Sequence, residues 1–309
     1  MTTSPFGPLT VIVNPHAGRG RVAEEVPELE RQLRAKGLQY TLRFTEGPGD
    51  ATRLAREAVL AGARFLVAVG GDGTVHEVVN GMMGEEGPLA EGLVLGVVAA
   101  GSGCDLVRTF GLPGDATRAC HHLVGDSVYP MDLMRITYRG GDGAERTRYG
   151  VNVAEAGLGA AVAARAEHLP RFFGRSRYFV AFWLTLPRFP LARVRVRADR
   201  RAYEGPAFLV VVGNCQFYGA GMRVSPRSYP GDGVLDVLVF KGPRSDAFTM
   251  IPRIYRGEHV PHPHVAELRA KVAVQVEADR ALPVEADGEV LGTTPAVFQV
   301  VPRAILMKV

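Results

Sequence analysis

The sequence predicts an α/β domain, with a parallel sheet and helices on both faces, followed by a mainly antiparallel β-sandwich domain. Two observations predict this architecture. In the first part of the chain, short β-branched runs alternate with helical repeats across short loops, which is the pattern of a parallel sheet covered on both sides. After about residue 129, strand-like runs separated by Gly, Asp and Pro turns take over, as in an antiparallel sandwich. The length of 309 residues is sufficient for two such domains.

The first domain, predicted over residues 1–128, begins with alternating elements. β-Branched and apolar runs predict strands at 9–13, 40–44, 65–69 and 93–98. Helical periodicity between them predicts helices at 22–36, 50–61 and 75–83, with Gly37 placed to end the first. Ligands of such sheets bind at the carboxyl ends of the strands, so the loops that follow the strands are the first place to look for chemistry.

The second domain, predicted over residues 129–301, consists mainly of strands, expected at 131–138, 148–153, 193–198, 207–213, 234–240, 271–278 and 297–301. Arg193, Arg195 and Arg197 alternate with valines, which predicts one wet and one buried face for that strand. An apolar aromatic stretch at 178–186 is too short to span a bilayer, and a buried helix is the favoured interpretation of it.

Charge and cysteine content restrict the function class. The net charge of +4 is too small to indicate a nucleic-acid partner. The excess of positive charge is local, because residues 161–204 contain ten arginines and three acids. Three cysteines without regular spacing predict neither a disulfide framework nor a zinc site and suit a reducing cytoplasm. No signal peptide is expected at the amino terminus.

The most specific motif is Gly70-Gly71-Asp72-Gly73-Thr74, which follows a buried strand and opens a helix. Glycines let the backbone approach a ligand closely, and the helix amino terminus favours phosphate. Asp72 adds a carboxylate, which suits a hydrated Mg²⁺. A tight turn capped by an aspartate is the simpler alternative, but the motif favours phosphate chemistry. It is neither a Walker A motif nor a Rossmann fingerprint.

Two further turns end strands of the same sheet. Asn14–Gly18 is equally compatible with a nucleotide-binding turn and with an ordinary Asn-Pro turn. In the Gly101–Asp105 turn, Ser102 could donate to a phosphate and Asp105 could cap the next helix, while Cys104 is expected to be a small buried residue. A third glycine string, beginning at Gly157, is attributed to close packing.

Acidic strings in the second domain lie at Asp232–Asp236 and Asp287–Glu289. Each alone could be a hairpin turn. Together with phosphate-type turns, they favour phosphoryl transfer to an alcohol, which requires Mg²⁺, a phosphate cradle and a carboxylate that accepts the hydroxyl proton. The histidines in the string EHVPHPH at 258–264 have spacing that matches no standard zinc site, and surface or inter-strand positions are expected for them.

In these ordered motifs the chain resembles the diacylglycerol kinase catalytic-domain family, in its soluble bacterial branch of lipid kinases, related to sphingosine and ceramide kinases. The matching strings cover nearly the whole chain, in family order: Asn14–Gly18, Gly70–Thr74 with Glu77 and Asn80-Gly81, Gly101–Asp105, Gly219–Met222, Asp232–Asp236 and Asp287–Glu289. Two positions depart from the family pattern, Cys104 in place of an Asn and His76 in place of another Asn, and bear on nucleotide preference.

The resemblance implies ATP and Mg²⁺ as cofactors, a lipid as substrate, and a last strand, at about 302–309, that returns to the first domain. It implies an ATP site lined by Asn14, Pro15, His16, Ala17, Gly18, Thr45, Gly70, Gly71, Asp72, Gly73, Thr74, Val75, His76 and Ser102. Asp232, with the carbonyls of Tyr229 and Val234, would hold a structural Mg²⁺. Glu289, expected to be buried, would be the general base, and Asp72 would join the network around the catalytic metal.

Two other functions stay open. A kinase for a soluble substrate is one, because NAD kinases and phosphofructokinases share the G-G-D-G-T turn; the strings at Asp232 and Asp287 favour a lipid kinase instead. A non-catalytic lipid-binding protein on the kinase fold is the other, and the retained carboxylates of Asp72, Asp232 and Glu289 argue against it. Peripheral contact with anionic membranes is expected through arginines of 161–204, a homodimer is left open, and no nucleic acid is expected.

Overall fold

The computed structural model describes residues 4–99, 104–114, 118, 120–169, 177–219 and 221–309. The chain forms two compact units. The first comprises Met1–Leu133, Gly219–Gly221 and Val301–Val309, and the second comprises Met134–Tyr218 and Met222–Val300. The glycine-rich turns after the first strands belong to the first unit, and both acidic strings belong to the second.

The first unit is built on a parallel sheet whose strands were anticipated closely. The strands are β1 (Leu9–Val13), β2 (Tyr40–Phe44), β3 (Phe65–Gly70) and β4 (Val94–Ala99). They lie in the order β2-β1-β3-β4, all parallel. Leu306 and Met307 pair in parallel with Val94 and Leu95 of β4, so residues near the end of the sequence extend this sheet.

Helices cover both faces of that sheet: α1 (Arg21–Ala35), α2 (Asp50–Leu60), α3 (Asp72–Met82) and the short α4 (Asp105–Thr109). Leu29 and Leu33 of α1 pack into one core cluster with Val11 and Val67 of the sheet. The predicted end of α1 is confirmed, because Gly37 has a left-handed φ of 69° and donates its N–H to Arg34 O at 2.9 Å.

The second unit is a β-sandwich, as expected from the sequence. Its strands are β5 (Val128–Arg139), β6 (Glu145–Gly150), β7 (Val153–Gly157), β8 (Ala192–Ala198), β9 (Arg201–Ala207), β10 (Leu209–Gly213), β11 (Leu235–Phe240), β12 (Val265–Ala270), β13 (Ala273–Ala278), β14 (Pro283–Ala286) and β15 (Glu289–Lys308). Strands β5 and β15 begin in one unit and end in the other.

One layer of the sandwich has the strand order β12-β11-β10-β7-β14-β15, with antiparallel pairing. The other contains β9, β8, β13, β15, β5 and β6. Val210, Val237 and Val284 from the first layer share a core cluster with Val196 and Phe298 from the second. The alternation predicted for β8 is confirmed, with its arginines exposed and its valines buried.

The outer face of the first layer packs against helices α5 (Leu158–Glu167), α6 (Arg177–Thr185) and α7 (Ala247–Arg256). The favoured interpretation of the aromatic stretch at 178–186 was wrong for its first residues. Tyr178 and Phe179 of α6 are 50% and 63% exposed, while Ala181 and Thr185 face inward. The helix therefore presents aromatic side chains to solvent. None of the described helices combines the length and the apolarity that a membrane crossing requires.

Candidate functional site

The carboxyl ends of β1, β2 and β3 lie side by side, and they bring the turns that follow them together. Asn14 donates its backbone N–H to Val69 O at 3.0 Å, and Thr45 donates to Val13 O at 2.9 Å. The Asn14 amide also donates to Thr74 Oγ1 at 3.2 Å. The three segments predicted to line an ATP site therefore form one continuous edge in the first unit.

The Asn14–Gly18 turn is held by its first residue. Asn14 Oδ1 accepts the His16 N–H at 3.1 Å, and the Asn14 carbonyl accepts the Ala17 N–H at 3.1 Å. Gly18 has a φ of 60°, which L-residues with side chains rarely adopt. His16 is exposed, and Pro15 and Ala17 are half-buried. The turn is a fixed Asx-type loop that presents its backbone at the sheet edge.

The two glycines that precede Asp72 differ in their surroundings. A Cβ on Gly70 would overlap the Thr74 side chain, whereas a Cβ on Gly71 would meet no atom of the described residues within 4 Å. Helix α3 begins at Asp72, earlier than predicted, so the motif itself forms the first helical turn. Open space therefore lies beside Gly71, next to the amino terminus of α3, where the helix dipole favours negative charge.

The remaining residues that were predicted to bind a nucleotide differ in their exposure to solvent. Gly73 is exposed and Asp72 is half-buried, whereas Thr74, Val75 and His76 are buried in the first turns of α3. Thr45 is buried as well. The side chains of the buried residues support the edge from within, whereas Gly71, Asp72 and Gly73 are accessible at its surface.

Asp72 joins two of the turns. Its carboxylate accepts the Asp105 N–H at 2.9 and 3.0 Å and approaches the Leu106 N–H at 3.4 Å. The cap expected from Asp105 is therefore wrong: Asp72 supplies it, and the Asp105 carboxylate lies 3.5 Å from Arg108 Nε. A carboxylate at the amino terminus of α4 is favoured by the exposed N–H groups there.

The third turn is described only in part. Cys104 is a buried free thiol, as expected. Burial, followed by the Asp72 charge, raises its pKa well above the usual value, so it stays protonated. Ser102 lies outside the described residues, as do Gly101 and Gly103.

Glu77 has a role that sequence reasoning missed. Its two carboxylate oxygens accept the N–H groups of Gly49 at 2.9 Å and Ala51 at 3.0 Å, which caps α2 from a neighbouring helix. A Cβ on Gly81 would overlap Thr52 O, so α2 and α3 pack at close range. Capping rules based on neighbouring residues do not identify a capping side chain that is 28 residues away in sequence. The only sequence signal for this role was the presence of Glu77 and Asn80-Gly81 among the family motifs.

In the second unit, Asp287 and Gly288 form the two-residue hairpin between β14 and β15, with φ values of 53° and 90°. The Asp287 carboxylate accepts the N–H groups of Val151 at 2.8 Å and Asn152 at 2.7 Å. Glu289 opens β15 opposite Ala286 and is half-buried, not buried as expected. The aspartate thus fixes the turn, and the glutamate leaves its side chain accessible.

The Asp232 turn offers oxygen atoms. Asp232 Oδ1 accepts the Val234 N–H at 3.0 Å, and the Tyr229 carbonyl accepts the Gly231 N–H at 2.8 Å. Arg269 Nη2 lies 3.4 Å from Asp232 Oδ2. Carboxylate and carbonyl oxygens fit the donor preference of Mg²⁺, although the guanidinium is a competing cation. In the part of the chain that the structure describes, no three His, Cys, Asp or Glu side chains cluster in a way that could hold a metal.

Asp236, the last residue of that string, is buried at the start of β11. Arg269 Nε lies 2.8 Å from its Oδ1, and the two residues are cross-strand partners. Burial raises the pKa of Asp236, and the Arg269 charge opposes that shift. Arg269 therefore connects both carboxylates of the string.

A second feature that the sequence did not reveal is a pair of buried acids. Glu155 of β7 and Glu285 of β14 are direct cross-strand partners, 0% and 3% exposed. Burial raises the pKa of Glu155 to about 8 and that of Glu285 well above its usual value. A Cβ on Gly159 would overlap the Glu155 carboxylate, which explains the close packing expected of the Gly157 string.

The histidine string has structural contacts. His259 is buried and its Nε2 lies 2.9 Å from Val224 O, while His264 Nδ1 lies 2.5 Å from Asp246 Oδ2. Burial lowers the pKa of His259. Surface or inter-strand positions were expected for these histidines: His264 is at the surface, and His259 is buried against the backbone of Val224.

Comparison with known proteins places both halves of the chain in one family. Residues 8–136 match the diacylglycerol kinase catalytic domain, and residues 152–309 match the YegS C-terminal NAD kinase beta sandwich-like domain. The chain is 30% identical to a diacylglycerol kinase of Mycobacterium tuberculosis, over 97% of this chain and 94% of that protein. It is 27% identical to a diacylglycerol kinase of Bacillus subtilis, over 93% of this chain and 91% of that protein.

A crystal structure of a diacylglycerol kinase from Bacillus anthracis has the same fold, with a TM-score of 0.74 at 23% identity over 99% of this chain and 97% of that one. The ordered motifs, the two matched domains and the full-length relatives agree. The chain therefore belongs to the diacylglycerol kinase family of lipid kinases.

Proposed function

We propose that the protein transfers the γ-phosphate of ATP to a hydroxyl group of a diacylglycerol- or sphingoid-like lipid, with Glu289 as general base and Mg²⁺ as cofactor. The observation that carries this proposal, beside the family membership, is the open space at Gly71 on the edge formed by Asn14, Thr45 and Gly70–Thr74. That edge offers backbone N–H groups and a helix amino terminus to a phosphate chain.

In the first unit, the backbone of Gly71–Gly73 would cradle the phosphates. Asn14 would hold its own turn against Thr74, so that the cradle keeps its shape when the nucleotide is absent. Asp72 would keep the Asp105 turn in place beside it. Mg²⁺ bound with the nucleotide neutralises the charge that develops on the transferred phosphoryl group.

In the second unit, Glu289 would accept the proton of the lipid hydroxyl, and Asp287 would position it by fixing the hairpin on which it lies. Asp232, with the carbonyls of Tyr229 and Val234, would hold a further, structural Mg²⁺. The lipid would be reached by peripheral contact with an anionic membrane surface, for which the sequence favours the arginines of 161–204. A reducing compartment suits the three buried free thiols.

A single assay separates this function from its alternatives. The protein is incubated with labelled ATP and a total lipid extract, and the label is followed after partition. Label in the organic phase supports the lipid kinase. Label in a new water-phase product would support a kinase for a soluble substrate, and nucleotide binding without any transfer would support a non-catalytic protein.

The substitution Glu289→Gln tests the proposed base. It preserves size and removes the proton acceptor, so turnover is expected to fall by roughly 10²–10⁴-fold while ATP binding persists. Glu204→Gln, which changes an exposed acid of β9, is the matched control and should leave turnover unchanged. Turnover of Glu289→Gln at the wild-type level would exclude Glu289 as the base.

A further inference from the structure

An exposed aromatic face extends across α6 and α7 and consists of Phe179, Trp183, Phe248 and Tyr255. Phe179, Phe248 and Tyr255 are 63%, 68% and 52% exposed. Trp183 connects the two helices, with its ring centroid 4.7 Å from that of Phe248 and 6.1 Å from that of Phe179. Large apolar side chains exposed side by side mark an interaction surface more often than an accidental one.

The residue order of α7 shows that this face is directed outward. Phe248 and Tyr255 are seven residues apart and lie on one side of the helix, whereas Met250 is buried on the other. Arg253 and Arg256 are exposed beside the aromatic stripe. The helix therefore has one buried stripe, one aromatic stripe and one basic stripe.

The charges on the two helices themselves have one sign. Neither α6 nor α7 contains Asp or Glu. The two acids that flank α7 are already engaged, Asp246 with His264 and Glu258 with Arg256. The arginines on or next to these helices are Arg177, Arg188, Arg244, Arg253 and Arg256, and of these Arg256 is partly neutralised by Glu258. Aromatic side chains beside arginines, on helices that contain no acids, match the headgroup region of an anionic bilayer.

We propose that the aromatic face of α6 and α7 docks on the surface of an anionic bilayer. The aromatic rings would sit at headgroup level and the arginines would contact lipid phosphates. The proposal rests on the proposed function, because its acceptor lipid resides in a bilayer. It moves the contact away from β8, where Arg193 and Arg195 lie within 4 Å of the Glu204 carboxylate and are thereby partly neutralised.

The first experiment needs no substitution, because Trp183 is the only tryptophan of the chain. On vesicles that are half phosphatidylglycerol and half phosphatidylcholine, its emission should shift to shorter wavelength, and dibromo-phosphatidylcholine should quench it. Vesicles of phosphatidylcholine alone should have a much weaker effect, and added salt should reverse the shift. Co-sedimentation with the anionic vesicles without any change in Trp183 emission would overturn the proposal.

Two variants then compare the surfaces. Phe179→Ser with Phe248→Ser should weaken anionic-vesicle binding on the order of tenfold or more, because apolar contact area is lost. Reversal of Arg193, Arg195 and Arg197 to Glu is the matched control on β8 and should weaken binding less. A larger loss from the β8 reversal would overturn the proposal in favour of that strand.

Two further measurements separate membrane docking from misfolding and from self-association. Thermal melting of both variants should match the wild type, since all substituted side chains are exposed or half-exposed. If the wild type self-associates and the double serine variant does not, the face binds a second copy of the chain and the proposal fails. The kinase proposal fails in a different way: the wild type would bind vesicles but would not phosphorylate lipid dispersed in detergent. If the protein is an active kinase, the double serine variant should still phosphorylate detergent-dispersed lipid.

Discussion

Neighbouring residues of one motif perform different tasks in this molecule. Gly70 is required by packing, since a Cβ there would overlap Thr74, whereas nothing among the described residues requires a glycine at Gly71. Its φ of −98° is one that any residue adopts. The proposed nucleotide site gives this glycine a reason, because a side chain at Gly71 would enter the space that the phosphates are proposed to occupy.

The substitution Gly71→Val tests this point. We expect the variant to fold and melt like the wild type, because its side chain enters open space, but to lose ATP binding as measured by calorimetry. Gly141→Val is the matched control: that glycine is also surrounded by open space and has no left-handed φ, but it lies in the hairpin between β5 and β6 of the second unit. Unchanged ATP affinity in Gly71→Val would mean that this turn does not cradle phosphate.

Glu155 predicts how stability depends on pH. Its pKa is raised from 4.5 to about 8 by burial, with Glu285 beside it, and the Tyr218 hydroxyl opposes the shift. In the unfolded chain the carboxyl loses its proton near its ordinary pKa, whereas in the folded protein it retains the proton up to about pH 8. The unfolded state therefore binds fewer protons within that window, and stability falls as pH rises through it.

We accordingly expect Glu155→Gln to melt at the same temperature as the wild type near pH 4.5 and several degrees higher near pH 8. Each kcal/mol gained in the free energy of unfolding raises the melting temperature by about 2–4 °C. Glu204→Gln, at an exposed acid, should follow the wild type at both pH values. Parallel melting curves for Glu155→Gln and the wild type across this range would show that Glu155 titrates normally.

At the scale of single elements, the turn before β11 could be stabilised by either of two cations, Mg²⁺ or Arg269, and an experiment can distinguish them. Asp232 is proposed to hold Mg²⁺, and Arg269 already lies 3.4 Å from it. If the metal stabilises the turn, EDTA should lower the wild-type melting temperature by a few degrees, and Asp232→Ala should melt lower and respond to neither EDTA nor Mg²⁺. If EDTA does not change the melting temperature of the wild type, Arg269 and not Mg²⁺ is the cation that stabilises the turn.

Elements with regular local patterns were predicted well from the sequence, and elements that depend on distant partners were not. β1 and β2 have the predicted bounds, because β-branched runs between turn residues specify buried strands. Helix α7 was missed because it is short and contains Pro252. The exposure of Phe179 on α6 was unpredictable, since apolar composition indicates a buried helix and only the packing of α6 decides which side faces outward.

For the whole molecule, the order of motifs proved more informative than any single one. Asn14–Gly18 alone was equally compatible with an ordinary turn, but its hydrogen bond to Thr74 joins it to the Gly70–Thr74 turn. The pairing of Glu155 with Glu285 could not be predicted, because the two residues are far apart in sequence and meet only through strand pairing. The same holds for the capping of α4 by Asp72.

The way β15 is shared has a consequence for synthesis of the protein. Its first residues pair within the sandwich, whereas Leu306 and Met307 complete the parallel sheet that begins with β1. Lys308 is buried there and donates to Ser127 O at 2.8 Å. On the ribosome, the first unit is synthesised before the residues that complete its sheet. Strand β4 therefore has an unpaired edge until nearly all of the second unit has been translated. Pairing of that edge is thereby tied to translation of the second unit, and a nascent chain interrupted within the sandwich exposes an unpaired strand edge of the kind that chaperones bind.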